Sequence, residues 1–113
     1  MFAGHHKMNN LVAIVDYNKL QAFGRIKEIM DLEPFAKKWQ SFGWSTQEVD
    51  GHNFRQLLSS MNKLPFTKNK PSLIIAHTTK GKGVSFMEDQ LAWHYKSPNQ
   101  QQLNQAFFEL GNL

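Results

Sequence analysis

The chain has 113 residues, of which 41% are hydrophobic and 19% charged, and its formal net charge is +4. This composition is typical of one folded domain spanning residues 1–113, and it excludes the low hydrophobicity of a disordered chain. The absence of cysteine excludes disulfides, cysteine zinc sites and thiol nucleophiles. The lysines are scattered beside acidic residues, and no apolar run approaches the ~20 residues of a membrane-spanning helix. We therefore expect a cytoplasmic protein that binds neither nucleic acid nor membranes.

Three short apolar segments predict strands of a parallel sheet. They run from Leu11 to Val15, from Trp44 to Val49 and from Ser72 to Ala76. Continuous apolar runs are typical of strands that are covered on both faces, and such strands are usually parallel. Parallel neighbours require a crossover element between them. The intervals between the three segments are therefore expected to contain helices.

The first predicted helix opens at Glu33-Pro34, carries Phe35, Trp39 and Phe42 at roughly helical spacing, and ends at Gly43. Proline favours the first turn of a helix, and glycine favours the left-handed residue that ends one. The three aromatic side chains are most simply explained as core residues.

Two further helices follow the second and third strands. Asn53 is expected to cap one of them, with Gln56 three residues later, and Pro65 prevents its continuation. Its apolar stripe comprises Phe54, Leu57, Leu58 and Met61. The other helix is predicted to start at Ser97-Pro98 and to stop at Gly111. The order strand, helix, strand, helix, strand, long loop, helix predicts a three-layer α/β fold around a parallel sheet.

Three loops follow the predicted strands, at Asp16 to Gly24, Asp50 to His52 and His77 to Ser97. In parallel α/β sheets, ligands bind beyond the carboxyl ends of the strands. In the first loop, the amide oxygen of Asn18 and the carbonyl of Leu20 are ligand types that Mg²⁺ accepts. An asparagine after a strand is, however, most often a turn former, because it tolerates left-handed backbone and bonds its own chain.

The third loop contains two further candidates. Lys80-Gly81-Lys82-Gly83 combines ammonium groups with glycines that let the backbone approach an anion, although an ordinary solvated turn explains the same residues. The imidazole of His94 is able to donate to a phosphate or a sugar oxygen, but a histidine between aromatic residues is more often a packed structural one. Taken singly, neither motif identifies a function.

Taken together and in order, these segments closely resemble the N-terminal, thiamine-diphosphate-binding part of transketolases. The resemblance covers almost the whole chain. The matching segments are Asn10 to Gln21, Lys38 to Trp44, Glu48 to His52, Ile75 to Phe86 and Trp93-His94. Five ordered motifs at matching spacing make the assignment specific, whereas each motif is weak alone.

The resemblance implies a thiamine-diphosphate-binding fold and a transferase that moves a two-carbon ketol unit between sugar phosphates, with thiamine diphosphate and Mg²⁺ as cofactors and a place in the pentose phosphate pathway. It also implies residue roles. Asn18 and Leu20 correspond to metal and cofactor ligands, Lys80 corresponds to the lysine near the cofactor, and His94 corresponds to the histidine beside the diphosphate and the donor substrate. Asn53 and Tyr95 stand where the family often has aspartate and glycine.

The family's Gly-Asp-Gly motif, whose aspartate is a further metal ligand, is absent upstream of Asn18, and so is the domain that holds the pyrimidine ring. We therefore expect a fragment of a diphosphate-binding subunit that is inactive alone and works with a separate pyrimidine-binding subunit in an oligomeric enzyme. The alternative is a non-catalytic assembly domain that retains the fold.

Overall fold

The computed structural model describes residues 1–111, so the last two residues of the predicted 1–113 domain lie outside the described range. Helices separate the three main strands, as the sequence predicts for an α/β fold. The elements in chain order are α1 (Phe2–His5), β1 (Val12–Tyr17), β2 (Leu20–Gln21), β3 (Gly24–Arg25), α2 (Ile26–Ile29), α3 (Phe35–Ser41), β4 (Ser45–Asp50), α4 (Phe54–Met61), β5 (Ser72–His77), a 3₁₀ helix (Leu91–His94) and α5 (Gln100–Leu110).

Contacts divide the chain into two compact units. The first, here called the sheet unit, consists of Met1–Tyr17 and Leu32–Thr78. The second, here called the loop unit, consists of Asn18–Asp31 and the chain from Thr79 onward. The sheet unit contains the three main strands, whereas the loop unit contains the chain that follows β1 and β5.

The main sheet has the strand order β1-β5-β4, and both pairs are parallel, which confirms the predicted parallel α/β architecture. The last paired residues are Tyr17, His77 and Asp50, one from each strand. The carboxyl ends of the three strands therefore share one edge of the sheet. Each predicted strand is present, with its end shifted by one or two residues.

Burial differs strongly between the strands. The central strand β5 is covered on both faces, and its Ile74 is fully buried in a cluster with Val49 and Ala76. The edge strand β1 alternates instead, and the side chains of Val12 and Ile14 are 38% and 52% exposed. The prediction that this strand is covered on both faces is wrong, because the face that carries Val12 and Ile14 stays largely exposed among the described residues.

The α3 helix ends as the sequence predicts. Gly43 follows it with a φ of +88°, the left-handed conformation that glycine adopts without steric cost. A close approach occurs at the same place, because a Cβ atom built on Gly4 would lie 1.9 Å from the carbonyl oxygen of Phe42. Only glycine fits there, and α1 is thereby able to approach the end of α3.

The α4 helix begins at its predicted cap, where the Asn53 side chain accepts a hydrogen bond of 3.1 Å from the Gln56 backbone N–H. Its predicted apolar stripe is only partly buried, since the Phe54 and Leu58 side chains are 81% and 59% exposed. The fully buried residue of this helix is Ser60, whose hydroxyl donates to the Gln47 side chain over 3.2 Å. The amphipathic pattern therefore predicts the helix correctly but not the whole of its packed face.

The α5 helix begins at Gln100 rather than at the predicted Ser97-Pro98. The Asn99 side chain accepts from the Gln102 N–H, and the Gln102 side chain accepts from the Asn99 N–H. This reciprocal capping box sets the start of the helix. Within the described residues, no helix has the length and apolarity needed to cross a bilayer.

Candidate functional site

The chain after β1 forms a tight turn at Asn18, followed by a short hairpin that the sequence did not predict. The Asn18 side-chain oxygen accepts a hydrogen bond of 2.9 Å from the Leu20 N–H, and Lys19 adopts a φ of +65°. Leu20 in β2 then pairs with Arg25 in β3. The turn-forming role of this asparagine is therefore real, and an amide oxygen with one accepted hydrogen bond retains a second lone pair for a ligand.

The loop after β5 is folded tightly around its glycines. Gly81 has a φ of +69°, and a Cβ atom at this position would lie 2.6 Å from the Met87 carbonyl oxygen. The Lys80 carbonyl accepts from the Asp89 N–H over 2.8 Å, which closes the loop. The backbone here is compact because Gly81 has no side chain and tolerates left-handed geometry.

The two lysines of this loop differ in their partners. The Lys82 ammonium pairs with Glu88 at 2.8 Å. The half-buried Lys80 side chain forms no ion pair within residues 1–111. Of the two ammonium groups, Lys80 is therefore the one whose charge no protein carboxylate neutralises in the described part of the chain.

An exposed ion pair joins the hairpin to the Lys80 loop within the loop unit. The Arg25 guanidinium contacts both carboxylate oxygens of Asp89, at 2.7 and 3.3 Å. The hydrogen bond from Arg25 holds the pKa of the Asp89 carboxyl below its usual value, and the same contact raises the pKa of the guanidinium. No sequence pattern predicts this pair, because the two residues lie 64 positions apart.

His94 is exposed at the end of the 3₁₀ helix. Its ring packs edge-on against Tyr95 at 4.8 Å, and the Tyr95 hydroxyl donates to the Ala22 carbonyl over 3.2 Å. The neighbouring Trp93 donates its indole N–H to the Phe86 carbonyl over 2.7 Å. The Tyr95 side chain thus attaches the segment carrying His94 to the β2-β3 turn.

The four predicted site residues, Asn18, Leu20, Lys80 and His94, all belong to the loop unit. Their functional groups make no direct hydrogen bond to one another, apart from the bond between Asn18 and Leu20. The link to Lys80 runs through the Arg25–Asp89 pair, and the link to His94 runs through Tyr95. The hairpin that carries Leu20 is therefore common to both links.

The sheet unit has its own polar groups at the carboxyl edge of the strands. His77 contacts Glu48 at 2.6 Å between neighbouring strands, Tyr17 donates to Glu33 at 2.7 Å, and Thr78 donates to Asp16. The contact with Glu48 gives His77 a structural role, which is the common role of a histidine at a strand end. Each of these polar side chains therefore has a side-chain partner within the sheet unit.

No cluster of three or more histidine, cysteine, aspartate or glutamate side chains suited to a metal ion occurs among the residues that the structure describes. The donors that do occur are the neutral oxygens of Asn18 and Leu20, the ammonium of Lys80 and the imidazole of His94. These donor types fit a magnesium diphosphate, in which the phosphates themselves supply the negative charge. They do not form a complete metal site on their own.

Comparison with known proteins identifies the family. The family described as "Transketolase, thiamine diphosphate binding domain" matches residues 1–111. The chain is 40% identical over 110 residues to an apulose-4-phosphate transketolase subunit of Phocaeicola vulgatus, covering 97% of this chain and 39% of that protein. It is 42% identical over 110 residues to a 6-deoxy-6-sulfo-D-fructose transketolase subunit of a Clostridium species, covering 97% and 40%.

Full-length transketolases are also similar to this chain. Mouse transketolase is 39% identical over 95 residues, covering 84% of this chain and 15% of the mouse protein. The structure of Campylobacter jejuni transketolase superposes with a TM-score of 0.89 at 24% identity, covering 97% of this chain and 17% of that one. The chain thus spans about 40% of the length of its subunit relatives. It belongs to the transketolase thiamine-diphosphate-binding-domain family.

Proposed function

We propose that this chain contributes the magnesium- and diphosphate-binding part of a transketolase-type enzyme that transfers a two-carbon ketol unit between sugar phosphates in the cytoplasm. The observation that carries the proposal is the family match over residues 1–111. Thiamine diphosphate, when bound, supplies the carbanion chemistry of the transfer. The proposed role of this chain is to bind and orient the diphosphate end of that cofactor.

Asn18 and Leu20 are the proposed magnesium ligands. The hydrogen bond from the Leu20 N–H fixes the Asn18 amide and leaves one lone pair of its oxygen for the cation. The Leu20 carbonyl is the second proposed oxygen ligand. Mg²⁺ is commonly held by a few protein oxygens together with phosphate oxygens, and the proposed pair supplies two of those protein oxygens.

Lys80 and His94 are the proposed diphosphate-binding residues. The charge of Lys80 has no carboxylate partner within residues 1–111, so it is available to a phosphate oxygen. His94 is exposed and donates to the diphosphate and to the donor substrate in the proposed role. None of these residues forms or breaks a covalent bond, and their roles are binding and orientation.

We propose that residues 1–113 form a single domain, corresponding to the C-terminal part of a diphosphate-binding subunit. Because two relatives are named as transketolase subunits, the proposed partner is a pyrimidine-binding subunit, and the working enzyme is an oligomer. The names of these relatives specify a phosphorylated and a sulfonated sugar. The proposed substrates are accordingly sugars with an anionic group, with sugar phosphates as the first class to test.

Calorimetry tests the inactivity of the lone chain. Thiamine diphosphate titrated with excess Mg²⁺ into the isolated chain is expected to bind weakly or not at all, and ketol transfer is expected only after a pyrimidine-binding subunit is added. Submicromolar binding to the lone chain, or transfer without a second subunit, would contradict this part of the proposal.

Substitutions in the reconstituted enzyme test the residue roles. Lys80→Ala is expected to weaken cofactor binding about tenfold, because one charge-assisted hydrogen bond to phosphate is lost. Lys82→Ala is the matched control and is expected to change the affinity less than about twofold, because its ammonium already pairs with Glu88. Asn18→Ala is expected to raise the Mg²⁺ requirement about tenfold. Equal effects of the two lysine substitutions would argue against the role of Lys80.

A non-catalytic assembly role is the second candidate, and the open face of β1 favours it. Val12 and Ile14 are 38% and 52% exposed on one face of β1, and exposed apolar side chains of this kind favour contact with another chain. As an edge strand, β1 also has backbone groups that are able to pair with a further strand. In this case, Asn18→Ala and Lys80→Ala leave the activity of a reconstituted complex unchanged, whereas Ile14→Asp prevents its assembly. The two candidates thus predict opposite outcomes for the same variants.

A further inference from the structure

The sheet unit contains an aromatic cleft with a volume of about 320 Å³. Its walls include the side chains of Phe35, Trp39, Phe42 and Trp44, which lie on α3 and just before β4. None of the four predicted cofactor-binding residues lines the cleft. The cleft and the proposed diphosphate site therefore share no lining residue.

Contacts between rings hold most of these walls in place. The ring centroids of Trp39 and Trp44 are 4.9 Å apart at an interplanar angle of 85°, and those of Phe35 and Trp39 are 6.2 Å apart at 81°. Phe35 also stacks on Tyr17 at 5.2 Å. Edge-to-face and stacked pairs of this kind are favourable geometries for aromatic rings. A wall built from mutually packed rings is preorganised, which reduces the entropy lost when a ligand binds.

Among the described residues, two that line the cleft carry a positive charge: Lys38, on its side chain, and Met1, on its α-ammonium group. The Lys38 ammonium forms no ion pair within residues 1–111. The indole N–H groups of Trp39 and Trp44 also have no protein acceptor in that range, although Trp44 is only 7% exposed. The polar groups of these lining residues are thus donors without protein acceptors, and no lining carboxylate opposes an anion. Charge and hydrogen-bonding capacity both favour an anionic acceptor.

We propose that this cleft binds a small planar aromatic molecule that carries one carboxylate. The rings receive the flat apolar part, and the Lys38 ammonium interacts with the carboxylate. Small-molecule pockets typically enclose roughly 300–1,000 Å³ and combine apolar walls with a few polar groups. The cleft lies at the small end of that range, which restricts the ligand to one ring or two fused rings.

The probe for this proposal is 1-naphthoate, with neutral 1-naphthamide as its uncharged counterpart. The chain has three tryptophans, so a ¹⁵N-labelled sample gives one indole N–H resonance for each. The resonances of Trp39 and Trp44 are expected to shift during titration with naphthoate. The resonance of Trp93 is an internal control and is expected to stay in place, because its N–H donates to the Phe86 carbonyl and does not line the cleft.

The charge preference is tested with two neighbouring lysines of α3. Naphthoate is expected to bind about fivefold more tightly than naphthamide, the size of effect expected for a partly solvated ion pair. Lys38→Gln is expected to reduce this preference, whereas Lys37→Gln, which alters a lysine outside the cleft, is expected to retain it in full. Both positions are exposed, so neither substitution threatens the fold.

Three results would overturn the proposal. One is the absence of any indole shift up to the solubility limit of naphthoate. Another is an equal affinity for acid and amide, which would indicate nonspecific uptake by an apolar surface. The third is a shift of the Trp93 resonance as large as those of Trp39 and Trp44, which would show that the ligand does not select the cleft.

Discussion

Gly81 offers the sharpest test of how the Lys80 loop is built. Its φ of +69° lies in the left-handed region, and a Cβ atom would lie 2.6 Å from the carbonyl oxygen of Met87 and 2.7 Å from its carbonyl carbon. Both neighbours are backbone atoms, which cannot rotate away as a flexible side chain does. Gly81→Ala must therefore displace the backbone of the loop that the Lys80–Asp89 hydrogen bond closes.

Two costs add up in this substitution. The left-handed conformation costs a residue with a Cβ atom about 1–2 kcal/mol. Forcing an extra methyl group into a packed site costs a further 1–3 kcal/mol, approximately. The free energy of unfolding should therefore fall by roughly 2–5 kcal/mol, a large share of the 5–15 kcal/mol that is typical of whole domains.

Gly24→Ala is the matched control. Gly24 also has a positive φ, +152°, but a Cβ atom there would meet side-chain atoms, two carbons of Ile29 at 3.5 Å and the Oε2 of Glu28 at 4.0 Å, which are ordinary contacts. Urea unfolding followed by circular dichroism compares the two variants. Gly81→Ala should lose at least about 1 kcal/mol more than Gly24→Ala, because only Gly81→Ala adds the overlap with the backbone. Equal losses would refute the reasoning about the Met87 contact.

Three more outcomes are expected. The pKa of Glu109 is held below its ordinary value of 4.5 by hydrogen bonds from the hydroxyl and N–H of Ser85, so its stabilisation is present above pH 4.5 and is lost as the pH falls through the folded-state pKa. Urea unfolding at a series of pH values should therefore show that Glu109→Gln is less stable than wild type at pH 7. The difference in the free energy of unfolding should shrink in acid, and a difference independent of pH would contradict this. Asn53→Ala should cost about 1 kcal/mol through loss of the helix cap, while Asn53→Asp should be nearly neutral by thermal melting; equal losses would exclude the cap. Ile74→Ala should lower the free energy of unfolding by about 2–5 kcal/mol, because Ile74 lies in the buried strand. Ile14→Ala, at a 52% exposed position, should cost about 1 kcal/mol or less. A reversed order would mean that the buried and exposed strands are wrongly assigned.

Local chemistry made much of the fold predictable. The apolar run around Ile74 identifies a strand because few other elements bury so many consecutive branched residues, and the structure covers it on both faces. Asn53 marks the start of a helix through its side-chain amide oxygen, and Gly43 marks the end of one because it lacks a Cβ atom; both act as expected. The sequence motifs also predicted the family that the comparisons establish.

Position within the sheet was not predictable in the same way. The run that contains Ile14 is as apolar as that of β5, but it forms an edge strand with one face half exposed. The pattern of Phe54 and Leu58 likewise predicts a helix but not which of its side chains are buried. Burial depends on which other elements lie against a face, and a residue's own sequence neighbourhood does not contain that information.

The candidate site was likewise predictable from the sequence only in part. The order of residues alone supplies its functional groups, with an amide at Asn18, an ammonium at Lys80 and an imidazole at His94. Only the folded chain shows which charges pair with each other. Asp89 forms an ion pair with Arg25, and Glu88 forms one with Lys82, whereas the ammonium of Lys80 has no carboxylate partner among the described residues. Such pairings depend on distances across loops, which folding sets and the order of residues does not reveal.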